Sequence, residues 1–92
     1  MTDANNEKVQ FLLAAMRSQH WAYDLATWSE AGLTVLFYRD KTYSAGIPTS
    51  DLTGWDELTP AQKLDRATIV VVQEEERLRE GGFDPTQPKP AA

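Results

Sequence analysis

The feature that most limits this chain is a helix-start signal at Thr59-Pro60-Ala61-Gln62. Thr59 is a good N-cap residue, and Pro60 suits the first helical position. Gln62, three residues after the cap, can close a capping box. The next stop signal is Gly81-Gly82. Between the two, Leu64, Ala67, Thr68, Val71 and Leu78 keep helical spacing, which predicts a helix over 60–80. At 1.5 Å per residue such a helix is roughly 30 Å long, the width of a small domain. The β-branched run Thr68-Ile69-Val70-Val71-Val72 alone would suggest a buried strand. The caps, and the charged stretch Glu74–Glu80, favour the helix. Ile69 and Val72 then form a second apolar face. That face calls either for packing on two sides or for self-association, a homodimer about a twofold axis being the simplest cover.

Upstream, Val9, Leu12, Leu13 and Met16 fall at i, i+3, i+4 and i+7, predicting a helix over about 6–19 with Asp3 or Asn5 as its cap. Residues 20–31 fit two patterns. Trp21, Leu25 and Trp28 share one helical face, and Gly32 is a natural stop; this is the preferred reading. With period two the same segment is a strand, with Ser29–Gly32 as a hairpin turn. Leu33–Tyr38 and Thr42–Ile47 read as two strands joined by the charged tip Arg39-Asp40-Lys41. Residues 48–58 carry turn residues and read as a loop. The expected fold is a single α+β domain over 1–82, of order α(α)ββα, with an antiparallel hairpin packed against helices. Phe83–Ala92, with three prolines in ten residues, is expected to be a flexible tail.

The chain has 92 residues, no cysteine, one histidine and a net charge of −5 from nine basic and fourteen acidic residues. Without cysteine there is no disulfide scaffold, no thiolate metal site and no thiol chemistry. No leader segment and no run near the roughly 20 apolar residues of a membrane helix is visible, so a cytoplasmic protein is expected. Too few basic residues are present, and in no run, for direct binding of nucleic acid. No phosphate-binding, zincin, hydrolase-elbow or calcium-loop motif occurs, so neither cofactor nor metal is expected.

His20 and Asp24 are four apart, as an oriented His–Asp pair on a helix would be, but no nucleophile stands in a recognisable setting. Glu74–Arg77 and Glu75–Arg79 read as a solvated, salt-bridged helix end.

These observations point to a non-enzymatic protein-binding module, a small acidic inhibitor, immunity or adaptor protein that occupies the surface of a basic partner protein. Two other readings follow from the same residues. One is a nucleic-acid mimic that blocks a DNA- or RNA-binding protein; the other is a small dimeric enzyme built on His20. The expected contact surface is Trp55 ringed by Asp51, Asp56 and Glu57, with Arg39 and Lys41 of the neighbouring hairpin tip. Ile69 and Val72 are the expected self-association residues.

Overall fold

The computed structural model describes residues 3–37 and 43–86. Helix α1 (Asp3–Ser18) leads into three strands, β1 (Leu25–Ser29), β2 (Gly32–Phe37) and β3 (Tyr43–Pro48). Two short 3-10 turns, Thr49–Leu52 and Trp55–Glu57, then lead to helix α2 (Pro60–Glu80). The strands form one antiparallel sheet in the order β1-β2-β3. The α+β class expected from the sequence is the one observed. The hairpin tip 38–42, with Arg39 and Lys41, and the end of the chain from 87 lie outside the described residues.

α2 begins where the cap signal places it. Thr59 Oγ1 accepts the Gln62 N–H at 3.2 Å, and Gln62 Oε1 accepts the Thr59 N–H at 2.9 Å. Its buried side is Ala67, Val70, Val71, Glu74 and Leu78, and it contacts both α1 and β3. Ile69 does not take part: it points away from the core and is 53% exposed, while Val72 is half-buried.

Both helices stop in the same way. After α1 the Trp21 N–H reaches back to Met16 O and the His20 N–H to Arg17 O, each at 3.0 Å. After α2 the Phe83 N–H reaches Leu78 O at 2.9 Å and the Gly82 N–H reaches Arg79 O at 3.0 Å. These are paired Schellman bonds, with His20 (φ 61°) and Gly82 (φ 88°) in the left-handed position. Each stop delivers an aromatic ring into the core. Trp21 and Phe83 both meet Phe37, with ring centroids at 5.5 and 5.0 Å.

Two expectations are corrected. Residues 20–31 are not helical. The left-handed stop at His20 ends α1, and Leu25–Ser29 pairs with β2, so the order is αβββα with three strands. The helical spacing of Trp21, Leu25 and Trp28 is a coincidence of two separate placements. Trp21 is the residue that closes α1, and Trp28 lies opposite Leu33 on the helix-facing side of the sheet. The folded chain also continues past residue 82. Phe83 and Pro85 are buried, and Pro85 O accepts the Ala22 N–H at 2.7 Å.

Gly32 opens β2 directly after the β1–β2 turn, at φ 132°. A Cβ there would lie 2.2 Å from the carbonyl oxygen of Ile47, on the paired strand. At Gly46, in β3, a Cβ would meet nothing within 4 Å. The same substitution should therefore act in opposite directions. Gly32→Ala is expected to cost roughly 3 kcal/mol or more. Gly46→Ala should be neutral or stabilise by up to about 1 kcal/mol. Denaturant midpoints of the two variants check this.

Candidate functional site

The 49–57 segment combines buried anchors with exposed acids. Leu52 and Trp55 point inward, and Trp55 is only 2% exposed. Its ring meets Phe11 edge-on at 5.5 Å, and the Lys63 ammonium lies 5.9 Å from its centroid. Its indole N–H donates to Glu7 Oε1 at 3.0 Å. Lys63 Nζ donates to the same oxygen at 2.5 Å. Trp55 is thus a core residue beside Leu52 and Leu58, and it offers no aromatic surface to a partner. Its inward turn has a local cause. Gly54, at φ 78°, reverses the chain, and the Glu57 and Leu58 amides close the turn onto Gly54 and Trp55 carbonyls.

Asp51, Asp56 and Glu57 remain exposed. None of them forms an ion pair among the described residues. The backbone that carries them is fixed. Arg66 Nη1 donates to Thr53 O at 3.0 Å and Thr53 Oγ1 donates to Ser50 O at 2.8 Å. Asp56 and Glu57 line a polar depression of about 330 Å³ with Lys8, Thr49, Thr53 and Gly54. Asp51 faces a separate groove of about 340 Å³ between β3 and α2, lined also by Gly46, Gln73, Glu74 and Arg77. The three acids therefore stand on one short segment but serve two concavities, not one ring around an indole.

The groove between β3 and α2 holds the residue that sequence reasoning misjudged most. Glu74 is not part of a solvated helix end; it is 9% exposed. Its Oε2 accepts the Gly46 N–H at 2.8 Å, and its Oε1 accepts from Arg77. That hydrogen bond, with the carboxylate charge beside it, raises the Arg77 pKa above its ordinary value, so the guanidinium stays charged. Glu75 accepts the Trp21 indole N–H at 2.9 Å and pairs with Arg79 at 3.4 Å. Arg79 in turn meets Asp84 at 3.2 Å. Glu74 and Glu75 are structural ties between elements, while Asp65, Glu76 and Glu80 are exposed, and no sequence signal separated the two groups except the need to bury one side of α2.

His20, the sole histidine, is exposed, and its backbone closes α1. Asp24 lies beyond that stop, off any helix, so the two are not facing neighbours on one helical turn. Among the described residues no three of His, Asp and Glu converge to hold a metal ion, and no helix is long and apolar enough to cross a membrane. Comparison of the chain with models of known protein families, with curated proteins and with solved structures finds no match.

Two outcomes follow from this geometry. Glu7 is held below the usual carboxylate value of 4.5, chiefly by the Lys63 hydrogen bond and then by the Trp55 N–H. Because its folded-state pKa is depressed, the stability it contributes is present above the unfolded value and is lost as pH falls through the folded one. Glu7→Gln should therefore lower the melting temperature at neutral pH, and the gap to wild type should close on acidification below 4.5. Parallel thermal melts across pH check it. His20→Gly should stabilise the fold by up to about 1 kcal/mol, because glycine takes the left-handed position without the Cβ penalty. Chemical denaturation reads this directly.

Proposed function

We propose that this protein is a non-enzymatic binding module that recognises a basic surface of a partner protein through its 49–57 segment. The observation that carries this reading is the presentation of Asp51, Asp56 and Glu57. Three exposed carboxylates with no ion-pair partner among the described residues stand on a backbone pinned by Leu52, Trp55 and the Arg66–Thr53 hydrogen bond. A surface fixed before binding loses little conformational entropy on binding. Unpaired acids supply long-range steering and register toward a basic partner. Loops held on a rigid scaffold are where binding residues concentrate.

The role of Trp55 in this reading is support. It sets the height and orientation of the segment from beneath and makes no contact with the partner. Truncating it is therefore expected to act through the fold. Trp55→Ala should cost about 3–5 kcal/mol of stability, as loss of a buried aromatic side chain does.

The test is affinity capture from extracts of the source cells with the full chain as bait, quantified by mass spectrometry. The comparison bait carries Asp51→Lys, Asp56→Lys and Glu57→Lys, with folding verified by circular dichroism and melting. A stoichiometric protein partner held by the wild-type bait and reduced at least tenfold by the reversed one is the expected result. Added salt should slow association while leaving dissociation nearly constant. Equal retention by both baits would contradict the reading.

A further inference from the structure

The two edges of the sheet are treated differently. Gly46 sends its N–H away from β2 to Glu74, so its partner Thr34 turns its backbone polar groups toward β1. Thr27 opposite Thr34 faces back to β2, and by alternation Ala26 and Trp28 turn their N–H and C=O groups outward. On the β3 edge the outward positions are Ser44, Gly46 and Pro48. Glu74 occupies the Gly46 N–H, and Pro48 has none to offer. On the β1 edge nothing among the described residues bonds to the outward groups. The strand itself is Leu25-Ala26-Thr27-Trp28-Ser29, with no charge, proline or glycine to discourage pairing. Leu25 is 48% exposed and Trp28 is half-buried.

We propose that the β1 edge takes up an extended segment of another protein as a fourth, antiparallel strand, and that this segment carries a basic residue at each end. The charges select the occupant. Asp24 and Glu30 flank β1, both are exposed, and neither has an ion-pair partner among the described residues. In the twofold register that pairs the whole strand with a second copy, Asp24 would lie opposite the Glu30 of that copy at both ends. Like charges directly opposite one another oppose pairing. A foreign strand with Lys or Arg six residues apart meets both carboxylates across roughly 20 Å of extended chain. Ala26 and Trp28 then exchange main-chain hydrogen bonds with it, and the ends set register. This site is independent of the 49–57 segment, which follows β3 at the other edge.

The probe is the peptide acetyl-Lys-Thr-Val-Thr-Val-Thr-Lys-amide, titrated into the isotope-labelled full chain and followed by NMR. Amide shifts centred on residues 24–30 are expected. Affinity should be at least tenfold above that of the same peptide with Glu in place of both Lys, and the gap should shrink in high salt. Ala26→Pro removes one outward donor without touching the β1–β2 ladder, and should weaken binding at least tenfold. If that variant does not fold, methylating the backbone nitrogens of both valines in the peptide makes the same contrast on the unaltered protein. No shifts at millimolar peptide, shifts centred elsewhere, or indifference to N-methylation would overturn the proposal. So would sedimentation as a dimer in which the Ala26 and Trp28 amides are protected, since the second copy would then be the occupant. Charge reversal in the 49–57 segment should leave this peptide's binding within twofold, which separates the two surfaces.

Discussion

The Glu74 carboxylate ties the helical layer to the sheet. It is buried between the Gly46 amide and the Arg77 guanidinium, which satisfies a charge that burial would otherwise make costly. A helix side chain that bonds a strand's outward N–H does two things at once. It docks α2 against β3, and it withdraws that edge from further pairing. With Pro48 next along the same edge, β3 is closed at Gly46 and Pro48, and Ser44 is its remaining outward position. Among the described residues β1 has no equivalent tie, so the sheet has one partly closed and one open side.

The aromatic cluster depends on the same economy of chain reversals. Each helix ends in a left-handed residue, and each end places a ring against Phe37 from its own side. Glu75 then bonds the indole N–H of Trp21, so the end of α1 is held by α2 through a polar contact as well as an apolar one. At the other end of the helix pair, Glu7 joins Lys63 and the Trp55 N–H. α1 and α2 run in the same direction, and carboxylate bridges secure the pair near both ends.

Much of this was legible in the sequence because its signals are local. The cap, the proline and the glycine pair set α2 to the residue, and hydrophobic spacing set α1 to within a turn. Residues 20–31 misled because their apolar spacing satisfies two periods. What decides between them is a non-local fact, the pairing of Leu25–Ser29 with β2, together with a histidine in a position that glycine usually marks. The candidate site was legible only in part. The exposure of Asp51, Asp56 and Glu57 follows from their loop, and Gly54 turns the chain locally, but the surroundings that receive the Trp55 ring are Phe11 and Glu7, far away in sequence. Glu74 reads like its neighbours Glu75 and Glu76, and only the approach of β3 distinguishes it.

The most direct test of this account is residue-resolved amide hydrogen exchange on the free, full-length protein. The closed edge predicts slow exchange at Gly46, whose amide bonds to Glu74. The open edge predicts alternation along β1: Thr27 protected by β2, with Ala26 and Trp28 on either side exchanging close to the rate of an unstructured peptide. Uniform protection along β1, or fast exchange at Gly46, would contradict the difference between the two edges on which the account rests.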